Sequence, residues 1–167
     1  MEYKCASVEQ TIKLGEAIGR LVPAGQVIAL DGPLGTGKTQ LVRGIALGAG
    51  VADISLVCSP TYVLLNIYPA DETVPRAKTV YHLDAYRVRS TEDFTAIGFD
   101  ELLDQDGIVV LEWASRTPGL LGDNALRITG TVLDETSRLW RLAAQGEESK
   151  KLLKELAAKM MMGEPAR

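Results

Sequence analysis

Residues 26–39 read QVIALDGPLGTGKT. The first five form a short apolar run of strand length. Gly32 to Thr39 then fit the pattern G-x-x-x-x-G-K-[ST]. A helix is expected to open at Lys38 and to close near Ala49, with Gly50 as its stop. Each part of this strand–loop–helix unit has a physical task. Glycines let the backbone turn tightly, so that several amides face one concavity. The N-terminus of the next helix adds the positive end of its dipole. Lys38 brings a full charge to the β- and γ-phosphates of a nucleotide, and the Thr39 hydroxyl is the expected Mg²⁺ ligand. Gly35, Thr36, Gly37, Lys38, Thr39 and Gln40 are the candidate phosphate-contacting positions of this loop. Pro33 lacks an amide, but the donors that matter most lie later, at residues 35–39.

Working outward, residues 3–6 read as a first strand. Ser7 and Gln10 have capping-box spacing, so a helix is expected from Val8 to about Leu21. Residues 61–68 (TYVLLNIY) and 78–86 (KTVYHLDAY) are rich in β-branched and aromatic residues, hence strands. The two prolines and two acids of 69–77 suggest a hairpin between them. Ser90 with Asp93 suggests a helix start, and a short helix is expected over residues 99–103. Residues 107–113 (GIVVLEW) are a second strongly apolar strand. Residues 125–132 and 138–143 could pair antiparallel. At the end, Leu152, Leu153, Leu156 and Met160 recur at helical spacing. This order gives an α/β fold: a P-loop NTPase-like central mixed β-sheet flanked by helices, with an inserted antiparallel hairpin. One domain is expected over residues 1–162, with a flexible tail at 163–167.

A Mg²⁺–nucleotide site needs a carboxylate at the end of a neighbouring strand. Ile108, Val109, Val110 and Leu111 followed by Glu112 have that form. Asp84, near the end of another strand-like run, is a rival or partner for the metal; it could also be a turn or capping aspartate. Ser59-Pro60-Thr61-Tyr62 is a loop-like break in which Thr61 could sense a γ-phosphate or simply turn the chain. His82 reads as structural before it reads as catalytic, Trp113 as packing, and Arg87 as a phosphate contact or an ion pair. No Asn-Lys-x-Asp or Thr-Lys-x-Asp follows, and many GTPases read guanine by that element. The base is therefore expected to be adenine.

The 167 residues fit one domain with a proper core. The net charge of −4 argues against gripping nucleic acid unaided. Cys5 and Cys58 are too few for a disulfide framework, and His82 is the only histidine, which leaves no zinc set. Both thiols are expected to be reduced and buried. No apolar run reaches membrane-spanning length, and Met1-Glu2-Tyr3-Lys4 does not resemble a signal peptide. A cytoplasmic protein is expected.

Taken together, the loop at 32–39, Ser59-Pro60-Thr61-Tyr62, His82-x-Asp84-x-Tyr86-Arg87 and Leu111-Glu112-Trp113 resemble the bacterial TsaE family over about residues 5–143. The resemblance implies a small P-loop ATPase of tRNA threonylcarbamoyladenosine biosynthesis, with low activity alone. It implies a TsaB–TsaD partner that transfers threonylcarbamoyl to adenosine 37 of ANN-decoding tRNAs, so that tRNA is met only through the complex. It implies ATP and Mg²⁺ as ligands, Lys38 and Thr39 on phosphate and metal, and Glu112 as the acid of the metal site. Asp84 falls on the family's other acidic position, and Thr61 and Trp113 on positions lining the site. Lys38, Asp84 and Glu112 are thus the candidate catalytic groups, and Thr39 and Glu112 the candidate metal ligands. Pro33 and Thr36 depart from the family's commoner residues at variable loop positions. Two other uses of such a loop stay open: a small-molecule kinase, and a module that senses ATP without turnover.

Overall fold

Strand β2 (Val27–Asp31) lies at the centre of a mixed sheet, flanked by parallel neighbours on both sides. The computed structural model describes residues 1–60, 62–86, 98–103 and 107–161. In these, the sheet has seven strands: β1 (Glu2–Cys5), β2, β3 (Leu65–Tyr68), β4 (Thr79–Asp84), β5 (Gly107–Glu112), β6 (Leu126–Val132) and β7 (Arg138–Ala144). Their spatial order is β1-β7-β6-β2-β5-β4-β3. Strands β6, β2, β5 and β4 run parallel; β3, β7 and β1 are antiparallel to their neighbours. All six β5 residues are buried and β2 is buried up to Leu30, which is why these runs are continuously apolar rather than alternating.

The helices are α1 (Val8–Leu21), α2 (Lys38–Ala49), α3 (Phe99–Leu103) and α4 (Glu147–Met161). Ser7 caps α1 by accepting the Gln10 N–H at 3.3 Å, and the Gln10 side chain accepts the Ala6 N–H at 2.8 Å. Helix α2 ends at Gly50 in the left-handed region, as its glycine anticipates. One apolar cluster joins α1, α2 and α4 to one face of the sheet through Leu14, Ile18, Leu41, Ile45, Ile28 and Leu156. A second cluster, with Phe99, Leu83, Val109 and Leu111, covers the other face. Because side chains alternate along a strand, His82, Asp84 and Glu112 share the α2 side with Val80 and Val110.

Helices α1 and α2 touch backbone to backbone. A Cβ on Gly15 would lie 2.3 Å from the Leu41 carbonyl oxygen, and one on Gly44 would lie 2.2 Å from that of Ile12. Gly19 and Gly48 repeat the contact one turn along. This seam fixes α2, and with it the loop that α2 follows.

Two expectations change. Strand β3 starts at Leu65, not near residue 61. The amides of Val63 and Leu64 donate to the Pro60 carbonyl, and Leu64 has φ 65°, so the chain turns there before it can pair. Cys58 is exposed, because its segment is an irregular loop beside the sheet edge; Cys5 is buried as expected. The helix start at Ser90 and Asp93 and the tail at 163–167 lie outside the described residues.

Candidate functional site

The site grows from the turn after β2. Gly32, Gly35 and Gly37 have φ of 146°, 78° and 93°. An added Cβ on Gly35 or Gly37 would meet nothing within 4 Å, so the backbone angle, not crowding, calls for glycine there. Gly32 is called for on both counts: its φ is positive, and its Cβ would lie 2.9 Å from the Gly130 carbonyl oxygen, because the loop rests on β6. Thr36 is buried beneath the loop. Its amide donates to the Pro33 carbonyl at 3.2 Å, and its hydroxyl donates to the same oxygen. From β7, Arg138 clamps the loop: Nε donates to the Thr36 carbonyl at 3.1 Å and Nη2 to that of Gly35 at 3.3 Å. The carbonyls of Gly35 and Thr36 are thus held on the Arg138 side. The amides of Gly37, Lys38 and Thr39 have no backbone acceptor among the described residues.

Lys38 is buried, and its ammonium folds over the loop. Nζ donates to the carbonyls of Gly32 at 2.9 Å and Pro33 at 3.3 Å, and it sits 4.0 Å from the centre of the Trp113 ring. Burial pushes the Lys38 ammonium below the ordinary lysine value, while the charges of Glu112, Asp84 and Asp31 pull it back up. Trp113 is held in the left-handed region at φ 57° and donates its amide to the Leu30 carbonyl at 2.8 Å. Its ring meets Tyr86 with centroids 5.1 Å apart. Trp113 therefore lines the site as well as packing.

The acids come from parallel neighbours in register, Asp84 on β4 beside Glu112 on β5. Both are buried. Glu112 Oε1 is 3.0 Å from His82 Nε2 and accepts the Thr39 hydroxyl at 3.5 Å. Asp84 Oδ1 accepts the Tyr86 amide at 2.7 Å, so it also serves as a turn residue. Gln40 is the third residue of α2, its side chain accepting from Arg43 at 3.3 Å. The structure thus gathers Gly35, Gly37, Lys38, Thr39, Asp84, Glu112 and Trp113 around one mouth. Thr61, Arg87 and Arg89 lie outside the described residues.

Two groups escaped the sequence reading. Asp31, the last residue of β2, accepts the Ser115 amide at 3.0 Å and the Ser115 hydroxyl at 2.8 Å, which ties the segment after Trp113 to the start of the glycine-rich loop. An acid directly after QVIAL was the available signal. Arg138 gave none, because its partners lie about a hundred positions earlier in the chain.

The donor set suits a magnesium-bound polyphosphate. Three unspent amides and one ammonium match phosphate oxygens. Among the described residues, no three His, Cys, Asp or Glu side chains converge to hold a metal by themselves. One hydroxyl and one carboxylate at 3.5 Å match a Mg²⁺ that takes its other ligands from phosphate and water. The large cleft of about 890 Å³ lies elsewhere, at the C-terminal ends of α1 and α2 beside Arg20, Arg76 and Lys78. Lys78 there is occupied by the carbonyls of Gly19 and Val22.

Comparison with known proteins agrees with this geometry. A family model described as threonylcarbamoyl adenosine biosynthesis protein TsaE matches residues 5–140. The Treponema pallidum tRNA threonylcarbamoyladenosine biosynthesis protein TsaE is 37% identical over 132 residues, 79% of this chain and 92% of that protein. Its namesake in Aquifex aeolicus is 37% identical over 136 residues, 81% and 90% of the two chains. The Bacillus subtilis one is 29% identical over 158 residues, 94% of each. A crystal structure of Bacillus subtilis YdiB superposes with a TM-score of 0.78 at 24% identity, covering 96% of this chain and 95% of that one, and supports the fold.

Proposed function

This chain belongs to the TsaE family, which is named for tRNA threonylcarbamoyladenosine biosynthesis, and from that premise we propose that it is a Mg²⁺-dependent P-loop ATPase. In this reading it works in the cytoplasm and supports a TsaB–TsaD pair in modifying adenosine 37 of ANN-decoding tRNAs. The observation that carries the reading is one mouth at which Lys38, the unspent amides of residues 37–39 and the Thr39–Glu112 pair meet. Among the described residues no helix is long and apolar enough to cross a membrane.

In this reading Lys38 exchanges the carbonyls of Gly32 and Pro33 for oxygens of the β- and γ-phosphates. Trp113 walls one side of that ammonium and keeps bulk water from it. Burial lowers the Lys38 ammonium, and the charges of Glu112, Asp84 and Asp31 oppose that pull. Thr39 and Glu112 would hold Mg²⁺, which would supply charge neutralisation to the phosphates. Arg138 keeps the carbonyls of residues 35 and 36 turned away from the incoming phosphates. In hydrolysis, water bonds to the γ-phosphorus, the bond to the β,γ-bridging oxygen breaks, and ADP and phosphate leave.

The test is phosphate release from ATP, alone and with TsaB–TsaD. We expect low turnover alone and stimulation by the pair. Glu112→Ala should lower stimulated turnover on the order of 100-fold, while ATP still binds through Lys38. Unchanged phosphate release in that variant removes Glu112 from the metal site. Turnover that needs a small acceptor molecule would instead favour the kinase reading. Tight ATP binding with no phosphate release, even beside the pair, would favour a sensor.

A further inference from the structure

His82 is fully buried, yet it is wired on both sides. Its Nε2 reaches Glu112 Oε1 at 3.0 Å, and its Nδ1 faces the Tyr68 hydroxyl at 3.4 Å. Tyr68, also buried, holds the loop of residues 57–60. Its hydroxyl accepts the Cys58 amide at 3.2 Å and donates to the Cys58 carbonyl at 3.0 Å, and Asn66 donates to the same hydroxyl at 3.1 Å. From the other side, Arg43 of α2 donates to the Val57 carbonyl at 3.1 Å. The strand register makes this possible. Asn66 lies opposite His82 and Tyr68 opposite Val80, while His82 lies beside Val110, two residues before Glu112.

The Tyr68 hydroxyl has one proton and two acceptors within reach, the Cys58 carbonyl and His82 Nδ1. A neutral His82 that donates from Nε2 to Glu112 presents Nδ1 as an acceptor, and so competes with the loop for that proton. A cation on the Glu112 carboxylate draws its charge away from the Nε2–H bond while His82 keeps it aimed, and the weaker acceptor shifts the balance at Nδ1. These are two discrete hydrogen-bond arrangements of one buried network, without any change in net charge.

We propose that His82 and Tyr68 are positioning residues that aim Glu112 at its cation and report the filling of that site to the loop of residues 57–60, in which Cys58 and Ser59 are exposed. This rests on the reading of Thr39 and Glu112 as the Mg²⁺–nucleotide site. The partners are chosen by chemistry: the histidine fixes a carboxylate, as metal-site histidine–carboxylate pairs do for one another, and the tyrosine fixes a loop backbone.

Cys58 supplies the readout, since it is the exposed thiol of that loop while Cys5 is buried. The rate of its labelling by a thiol reagent is measured on the full chain with and without Mg²⁺ and a non-hydrolysable ATP analogue. Calorimetry on the same samples reports binding. In the wild type, we expect saturation of the site to change the labelling rate at least fivefold. Tyr68→Phe removes only the hydroxyl; its response should fall below twofold, with analogue affinity in EDTA within threefold of wild type. His82→Gln keeps a donor for Glu112 and lacks the second ring nitrogen, so it should lose the loop response but keep the Mg²⁺ dependence of binding. It also serves if Tyr68→Phe fails to fold. A wild-type rate that ignores bound analogue, or a response that survives in either folded variant, overturns the coupling while leaving the ATPase reading standing. Absence of saturable analogue binding in the wild type sinks the ATPase reading itself, and this inference with it.

Discussion

Helix α2 uses glycine at its mouth and along its back for opposite reasons. At the mouth, Gly35 and Gly37 sit at positive φ with open space where a side chain would begin. Along the back, Gly44 and Gly48 have ordinary helical angles and no space at all, because they lie against α1, with Gly15 and Gly19 reciprocating from that helix. The first pair leaves open space at the mouth; the second removes room between two helices. The second also makes the first useful. A phosphate cradle is only as well placed as the helix that carries its amides, and a backbone-to-backbone seam leaves α2 little freedom to slide or tilt.

The largest expected effect is at the back. Gly44→Val places a branched side chain where even a Cβ would lie 2.2 Å from the Ile12 carbonyl oxygen, so the helices must separate. We expect a loss of about 3 kcal/mol of stability, typical of severe overpacking. For a chain of this size that is a fall of about 6–12 °C in melting temperature. A variant melting within a degree or two of wild type would show that the seam is loose and the contrast false.

Next comes Lys38→Ala at the mouth. It removes the cradle's full charge without filling or opening the seam. ATP affinity should drop about 100-fold, equivalent to about 2.8 kcal/mol. Thermal stability should stay near wild type, because burial already disfavours this ammonium in the folded chain. Unaltered affinity by calorimetry would take Lys38 out of the phosphate site.

The mouth was far easier to read from the sequence than the back. Gly32 to Thr39 is a spaced motif whose chemistry is local, so strand, loop and helix could be assigned together. Glu112 was legible because four apolar residues and then an acid describe a buried strand reaching a site. Gly15, Gly19, Gly44 and Gly48 passed unnoticed, because a glycine every fourth residue acquires meaning only once two helices are known to face each other. Arg138 and the link from Tyr68 through His82 to Glu112 were hidden for the same reason. Each depends on strand register, which brings together residues from 14 to 102 positions apart. The early expectation for β3 failed locally: β-rich composition at residues 62–64 lost to a turn closed by two amides on the Pro60 carbonyl.

The smallest expected effect divides conformation from crowding most sharply. Gly37 at φ 93° and Gly50 at φ 76° bracket α2, both left-handed. An alanine in that region costs roughly 1–2 kcal/mol of backbone strain. At Gly50 the added carbon also meets the Ala77 side chain at 3.0 Å, so Gly50→Ala can lose only stability. At Gly37 the added carbon meets nothing, and the chain can relieve strain by rotating the peptide that aims the Gly37 amide. Gly37→Ala should therefore lose little in a urea melt but about tenfold in ATP affinity, about 1.4 kcal/mol. If Gly37→Ala and Gly50→Ala lose stability equally and both bind ATP as wild type does, the mouth glycine serves only to end a turn. The cradle amides would then have to tolerate a rotated peptide, which a site built on backbone donors should not allow.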